Sequence, residues 1–521
     1  MFDKLLYLKK IAKMKSLYFN EEHELFRESV KSFVQKEIVP FGKQWEKDKR
    51  TPKSLLKKLG DYGFLGINHS EKYGGTQADF FYSVAYLEEL CKCGFGGVTA
   101  MISVHQYMAT NHLAEAGSEA LKQKYLAPSI AGDYLAAIAV TEPGGGSDVS
   151  ALLTTAVKDG DEYIINGSKT FITNGVYADF VVVACKTNPS AGVNGISLII
   201  VDRDTRGFTA TALDKMGWHS SDTGELAFDN VRVPAGNLIG QENMGFFYIM
   251  ESFQLERLVA GIMSNAASEE ILAQTLQYMG ERETFGRPIK KYQVLRHDMV
   301  NMYTELEAAK QLTYYAGWLY QNGEIPVKEC SMVKLHCTEL SKRIIDKCFQ
   351  MYGGYAFMEE YPIARAYRDA RISTIVGGTS EIMREILAKM ILDDIRYKKV
   401  YNEEDNAEGT PTPPKELTAK EIILSLPNRL KKDKVDGAQY KFNFDISGSN
   451  GGQFTVTIAN RSCTVVEGLS ADADCEVTCL DSTYSDVELG KANPQTAVMS
   501  GQLKISNLMA MMSFSKLFNR V

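Results

Sequence analysis

The sequence predicts an α+β multidomain protein: an N-terminal all-α domain, a middle antiparallel β domain, a second all-helical domain, and a small mixed α/β domain at the C-terminus. Three observations carry this. Apolar residues first recur every three or four positions, then fall into short β-branched runs broken by turn residues, then recur every three or four again. An acidic stretch containing Pro and Gly, NEEDNAEGTPTPPK at 402–415, then interrupts the pattern and reads as an exposed linker. No strand–GxGxxG–helix unit with a trailing acid occurs, so neither βαβ winding nor a Rossmann dinucleotide site is supported.

The chain has 521 residues, more than a single compact core holds, so several domains are expected. In order, these are an extension over 1–19, helices over 20–133, β structure over 134–241, helices over 242–400, the linker over 401–416 and the small domain over 417–521. The first helical stretch shows Leu25, Phe26, Val30, Phe33, Val34 and Ile38 at helical spacing. The β stretch consists of short β-branched runs (AIAV, EYIING, FVVVACKT, GISLIIVD) broken by turn residues. Long apolar periods such as MESFQLERLVAGIMSNAASEEILAQTLQYM mark the return of helix, and YKFNFDIS and QFTVTIA alternate as strands beyond the linker.

Composition excludes several classes. A net charge of -7 offers no basic footprint for nucleic acid. No run of about 18 uninterrupted apolar residues occurs, so no membrane span is expected. Nine scattered cysteines without a CxxC pair or a secretory signal read as reduced thiols, hence a cytoplasmic protein. Cys91 and Cys93 are too closely spaced for a metal site, and no other cluster suggests a metal. The Lys-rich N-terminus lacks Arg and carries Asp3, which makes it a poor transit peptide and reads as an extension or a start ahead of Met14.

Two segments of the β stretch carry chemistry. In AIAVTEPGGGSDVS, three consecutive glycines allow close backbone approach to a ligand, and Thr141 and Ser147 flank them as donors. A plain flexible turn has the same glycine run. In Lys169-Thr-Phe-Ile-Thr-Asn-Gly175, period-two alternation puts Phe171 and Thr173 on one face, suited to stacking on and bonding to a planar ring. An ordinary amphipathic strand has the same pattern.

Together these segments resemble the acyl-CoA dehydrogenase family, whose middle domain carries TEPxxGSD followed by (W/F)ITNG. Further family motifs follow in order: Arg282-Glu-Thr-Phe-Gly-Arg-Pro-Ile289 with Gln293, Gln350-Met-Tyr-Gly-Gly-Tyr355, and Tyr367-Arg-Asp-Ala-Arg371 leading to Gly377-Gly-Thr-Ser-Glu381. The resemblance implies a helical domain, a β domain and a four-helix bundle, commonly as a homotetramer or another homo-oligomer such as a dimer. It implies FAD between the β domain and the bundle. Thr141, Ser147, Phe171 and Thr173 would contact FAD from one side, and Thr379 and Glu381 would hold it nearby. Arg282, Thr284, Gln293, Gln350, Gly353 and Gly354 would reach it from a neighbouring subunit, the Arg fork matching a pyrophosphate. Ser147, Gln254, Arg257 and Gly378 would meet the acyl-CoA.

The family reaction removes an α-proton from an acyl thioester as the β-hydrogen leaves as hydride, giving a trans-2-enoyl-CoA. Most relatives take that proton with a Glu immediately before the Gly-Thr of the late motif, where this sequence has Gly377. Glu256, in Gln254-Leu-Glu-Arg257, occupies the position used by the long-chain and isovaleryl branches. Helical spacing from it reaches Val259, Ala260, Met263 and Ala267, an apolar stripe that would desolvate the carboxyl and raise its proton affinity. The competing reading is a Glu–Arg pair on a helix surface. Gly377 still has a backbone N–H, which in this family helps polarise the thioester carbonyl. His105, in a segment resembling an acyl-pocket wall, reads as a packed structural histidine rather than a catalytic one.

The last segment, from about 422 to 518, resembles the sterol-carrier-protein-2 (SCP2) family through FNFDISG, TVTIANR, ADADCEVT, and above all Gly490-Lys-Ala-Asn-Pro494 followed by Met499-Ser-Gly501-Gln-Leu-Lys-Ile505. This implies a mainly antiparallel sheet with helices around a lipid tunnel. Leu508, Met509, Met511, Met512, Phe514 and Leu517 suit an adaptable apolar cavity or an ordinary core equally well. The expected function is thus dehydrogenation of medium-to-long or bulky acyl-CoAs, as in fatty acid β-oxidation, with electrons passed to an electron-transfer flavoprotein. Alternatives are an oxygen-using acyl-CoA oxidase, or a non-catalytic acyl-CoA or lipid carrier, which Gly377 would favour.

Overall fold

The structure, a computed structural model, describes residues 16–395, 397, 417–431, 435, 439–489, 492, 494–507, 510, 511, 514, 517 and 518. Most of the expected N-terminal extension, the 401–416 linker, and Leu508, Met509 and Met512 lie outside the described residues. The chain divides into two compact units, Met1–Val400 and Tyr401–Val521.

The first unit opens with helices α1 (Glu21–Glu37), α2 (Gly42–Lys47), α3 (Lys53–Asp61), α4 (Phe80–Cys91), α5 (Gly96–Ser103) and α6 (Thr110–Ala116). Helix α1 begins at Asn20, whose side chain accepts the His23 N–H at 2.9 Å while His23 Nδ1 accepts the Asn20 N–H at 3.0 Å. That reciprocal cap satisfies two orphan donors and fixes the helix start. Val30, Phe33, Val34 and Ile38 are buried as their spacing predicts. Leu25, counted in the same stripe, instead faces solvent because it falls one position off the buried face. Between α5 and α6, Val104–Ala109 form a π turn, which inserts one extra residue and re-aims the side chains beyond it.

The β region has strands β1 (Ala136–Ala139), β2 (Thr155–Asp159), β3 (Glu162–Thr173), β4 (Phe180–Lys186), β5 (Ile196–Asp202), β6 (Phe208–Ala212), β7 (Thr223–Pro234) and β8 (Leu238–Ile239). They form one sheet in the order β6–β7–β3–β2–β4–β5–β8, with β1 added on β4. The pairs are antiparallel as expected, except that β1 and β2 run parallel to β4, where the chain crosses over instead of turning back.

Helix returns with α7 (Gly245–Glu281), then a hairpin of β9 (Glu283–Thr284) and β10 (Arg287–Pro288), then α8 (Gln293–Gln321), α9 (Val327–Tyr352), α10 (Pro362–Arg371) and α11 (Ser380–Ile391). Helices α7, α8, α9 and α11 make the bundle. A Cβ at Gly261 of α7 would sit 2.2 Å from Val333 Cγ1 of α9, so the bare glycine sets how closely these two helices pack. Leu258, Ile262 and Val333 belong to one apolar core continuous with Leu87, Val98 and Ile102 of the N-terminal helices.

The second unit has a five-stranded sheet, β11 (Tyr440–Ser447), β12 (Gly452–Ala459), β13 (Ser462–Glu467), β14 (Cys475–Leu480) and β15 (Leu503–Ile505), in the order β13–β12–β11–β14–β15. Among the described pairs of this sheet, β11–β14 alone is parallel. Its own core unites Phe442, Phe444, Phe454 and Tyr484 with Phe514, Leu517 and Phe518. The Phe514 ring lies 4.6 Å from those of both Phe442 and Phe518, so this part of the Met-rich tail is packed core. Among the described residues, no helix is long and apolar enough to cross a membrane.

Candidate active site

Helix α7 carries Gln254, Glu256 and Arg257 into the protein rather than onto its surface. Glu256 is 8% exposed, and among the described residues the only hydrogen bond to its carboxyl comes from Ser252 Oγ, at 3.3 Å, one turn earlier. Burial raises its pKa from the usual 4.5 to about 7, against the smaller opposing effects of the Ser252 hydrogen bond and the Arg257 charge. A carboxyl held there exchanges a proton readily near neutral pH. Arg257 is buried too. It donates to Gln254 Oε1 at 3.3 Å and Ser331 Oγ at 3.5 Å, its guanidinium lies 5.5 Å from the Phe253 ring, and its Nε has no hydrogen-bond partner among the described residues. The reading of these two residues as a solvated surface pair therefore does not describe them.

Past Glu256, the stripe Val259, Ala260, Met263 and Ala267 lines a largely apolar cavity of about 170 Å³. Thr99, Ala100 and Ser103 of α5, with Val104 and Met108 of the π turn, form the opposite wall. Thr173, Trp218 and Val376 lie at one part of its lining, and Glu270 and Gln274 extend it down α7. A larger cavity, of about 390 Å³, lies between α6 and the start of α7, but Asp79, Glu115, Glu251 and Glu324 line it, which suits an alkyl chain poorly.

The glycine loop of the β region is held from beneath. Lys169, fully buried, donates to the Val140 carbonyl at 3.0 Å and to Glu142 Oε1 at 2.8 Å. Glu142 also accepts the N–H groups of Leu153 and Thr154 at 2.7 and 2.9 Å, which satisfies both ions of a pair that would otherwise be costly to bury. Thr141 is tied to β3 through its carbonyl, which accepts the Thr170 N–H at 2.9 Å. Ser147 stands exposed at the loop.

Phe171 breaks the expected alternation. It has φ of +61°, the β3–β7 register shifts between Lys169 and Ile172, and its ring is 69% exposed. The bulge turns an aromatic face outward while Thr173 lines the cavity. An exposed ring in a strained backbone position, on a strand that the Thr170–Thr141 backbone bond ties to the glycine loop, fits a planar heterocycle such as flavin.

The late loop runs through Gly377 and Gly378, with φ of +67° and +91°. Thr379 then caps α11, its hydroxyl accepting the Ile382 N–H at 3.2 Å, and Glu381 is exposed in the first turn. A Cβ built on Gly377 meets nothing within 4 Å. Arg282, Gln293, Gln350, Gly353 and Gly354 are all exposed in the single chain. They gather around the ends of α7 and α9: the Arg282 guanidinium lies 5.5 Å from the Tyr355 ring, and Thr284 Oγ1 donates to the Tyr292 hydroxyl at 3.2 Å. Among the described residues, no hydrogen bond joins this group to Thr141, Phe171 or Thr173.

His105 is structural in its contacts. Nδ1 accepts the Ala136 N–H at 3.1 Å, Nε2 faces the Ser129 carbonyl at 3.2 Å, and burial lowers its pKa to about 4. Among the described residues, no group of three or more His, Cys, Asp or Glu could hold a metal ion. Sequence reasoning missed the α5 wall of the cavity, the Lys169–Glu142 pair, and Lys334 of α9. Lys334 is fully buried between Cys330 and Cys337, and its Nζ donates to the Gly378 carbonyl. A single lysine on the apolar face of a helix was the available signal.

Comparison with known proteins agrees with this geometry. Family models for the acyl-CoA dehydrogenase N-terminal, middle and C-terminal domains match residues 20–133, 137–231 and 243–392, and the SCP-2 sterol transfer family matches 420–519. The chain is 38% identical to the mitochondrial long-chain specific acyl-CoA dehydrogenase of Sus scrofa, over 72% of this chain and 88% of that protein. Among solved structures, an acyl-CoA dehydrogenase from Geobacillus kaustophilus is 44% identical, with a TM-score of 0.71, over 72% of this chain and 100% of the other. A structure described as the electron transferring flavoprotein of Acidaminococcus fermentans is 36% identical, with a TM-score of 0.70, over 73% of this chain and all of its own.

Proposed function

The chain belongs to the acyl-CoA dehydrogenase family, with an SCP2 domain fused at its C-terminus, and on that premise we propose that Glu256 is the base of an FAD-dependent α,β-dehydrogenation acting on medium-to-long acyl-CoAs. The observation that carries the assignment is the buried Glu256 carboxyl, poised near neutral pH on α7 one turn before the residues that line an apolar cavity. Asp369, the other buried carboxyl of that cavity, is already occupied by the N–H groups of Gly96 and Trp218.

The residues divide the work as follows. An acyl chain lies along α7, with its α-carbon at Glu256. Glu256 takes the α-proton, and the electron pair of that C–H bond forms the Cα–Cβ double bond as the β-hydrogen leaves as hydride. When bound, FAD supplies the acceptor for that hydride. The Gly377 N–H donates to the thioester oxygen, where negative charge grows as the proton departs. Arg257 and Gln254 hold the thioester end, and Ser147 the exposed approach to it. Thr141, Ser147, Phe171, Thr173, Thr379 and Glu381 hold the cofactor in one subunit. Arg282, Thr284, Gln293, Gln350, Gly353 and Gly354 complete the site of a second copy, which the exposure of all but the half-buried Thr284 in a single chain supports.

The cavity lining supports the chain length. The α7 residues that line the cavity, from Val259 to Gln274, span about 22 Å of helix at 1.5 Å per residue, an elongated apolar wall that suits a medium-to-long alkyl chain. Ala100, Val104, Ala260 and Ala267 are small and leave that path open. The A. fermentans neighbour supports an electron-transfer flavoprotein as the acceptor of the electrons. Nine buried, unpaired cysteines support a reducing, cytoplasm-like compartment. We assign lipid or acyl binding to the SCP2 unit as a whole.

The test is to titrate the purified holoprotein anaerobically with saturated acyl-CoAs of graded length and follow flavin absorbance. Bleaching by long chains that vanishes in Glu256→Gln supports the reading. Bleaching that survives the substitution removes Glu256 as the base, and no bleaching at any length leaves only a binding role. Fast reoxidation in air would favour an oxidase over transfer to a flavoprotein.

A further inference from the structure

Lys334 has no part in the chemistry above, yet its placement is expensive. It is fully buried on α9 among Cys330, Val333 and Cys337. Its partner is a neutral carbonyl, that of Gly378. The carboxylates that act on it, Glu339 and Glu381, do so from a distance, and Glu339 already accepts the Ser380 hydroxyl at 2.7 Å. Burial first, and the nearby Arg257 charge second, lower its pKa to about 8. A neutral carbonyl offsets less of the cost of burying an ammonium than a carboxylate partner would.

What the ammonium gives in return is geometric. Gly377 and Gly378 are consecutive residues in the left-handed region, and neither has a side chain to pack. On one side, the Val376 N–H is anchored on the Ile372 carbonyl at 3.0 Å. On the other, Thr379 caps α11. Between these anchors the two glycines have the widest conformational freedom a chain can have. Among the described residues, Lys334 makes the only side-chain hydrogen bond to either of them.

We propose that Lys334 is a positioning residue whose bond to the Gly378 carbonyl fixes the Gly377–Gly378 turn, so that the Gly377 N–H points at the thioester oxygen. The inference rests on the reading of Gly377 as that donor. It does not depend on which residue takes the α-proton. The loop thereby gains from a helix the rigidity that a packed side chain on the loop itself would have given.

The test uses the FAD-loaded protein and a trans-2-enoyl-CoA labelled with carbon-13 at the thioester carbonyl. The infrared stretch of the bound carbonyl reports how strongly it is polarised. In the wild type, the band is expected below its position in free ligand, and Glu256→Gln is expected to keep that shift while losing turnover. Lys334→Met, close in length and suited to the core, is expected to return the band toward the free position. It should also lower kcat by about 10- to 100-fold while KM stays within about threefold, the pattern of an interaction made in the transition state. Lys334→Arg, which restores a donor, is expected to recover part of both. If the Met variant does not retain FAD, Lys334→Gln serves in its place, removing the charge and shortening the reach. A Lys334→Met or Lys334→Gln protein with full band shift and unchanged kcat overturns the inference. A wild-type band at the free position overturns the oxyanion reading and the inference with it.

Discussion

Glu256→Gln sets activity and stability against each other at one buried group. The carboxyl titrates at about 7 in the folded protein against an ordinary 4.5. At 1.36 kcal/mol per pH unit, the difference amounts to about 3 kcal/mol. The folded pKa is raised, so the fold favours the protonated form. Its contribution is intact below pH 4.5 and is lost as pH rises through 7, because the unfolded chain ionises first. Glutamine has the same shape and never ionises. The variant is therefore expected to match the wild type near pH 4.5 and to exceed it by about 3 kcal/mol above pH 8, read from urea unfolding of the larger unit followed by flavin fluorescence. Turnover moves the other way, falling about 10²- to 10⁴-fold for loss of a general base. In the wild type, kcat/KM is expected to rise tenfold per pH unit up to about 7 and then level off, since only the ionised carboxyl takes a proton. A variant with no pH-dependent gain in stability would refute the burial argument, and one that keeps turnover within tenfold would refute the catalytic one.

Three further outcomes are expected. Ala100→Phe fills the α5 wall of the cavity, so activity on long acyl-CoAs should drop at least about 100-fold while short chains retain most of theirs, checked by comparing kcat/KM across chain lengths. Lys169→Met leaves the Glu142 carboxylate buried without its cation; it should lower stability by about 3 to 5 kcal/mol and release FAD on gel filtration, because the glycine loop loses its support. Phe444→Ala opens the core of the second unit and should destabilise it by about 3 to 5 kcal/mol in unfolding experiments, yet leave acyl-CoA bleaching by the first unit unchanged.

Much of the fold was legible because period is a local property. The switch to short apolar, β-branched runs in AIAV and FVVVACKT needs only neighbouring residues to appear, and both runs are strands. Glu256 was legible for a related reason: Gly377 removed the usual base, and helical spacing placed an apolar stripe after the remaining carboxyl. What stayed hidden depends on distant partners. Nothing local to Ala100, Val104 or Met108 says that they face α7, and the π turn that aims the last two has no sequence mark. Leu25 misled because its spacing was read one position too generously. At Phe171 the rule of alternation was sound but the bulge defeated it, and a left-handed aromatic in a strand is the kind of local violation that collects at functional sites.

The displacement of the base from loop to helix has a physical consequence for both elements. A carboxyl on a turn of two left-handed glycines would owe its position and its pKa to a flexible segment. On α7, Glu256 has its direction set by a helix packed against α9 through Gly261, and its proton affinity set by burial. An alkyl chain entering the cavity excludes water further, which moves the carboxyl pKa upward and makes it a stronger base once ionised. The same chain brings the thioester oxygen to the Gly377 N–H, which makes the α-proton more acidic. Substrate binding thus brings the two pKa values toward each other from opposite sides, and only if the donor loop is held still. In this chain the loop has no side chain of its own to hold it, which is why the buried amine of Lys334 belongs in any account of the site.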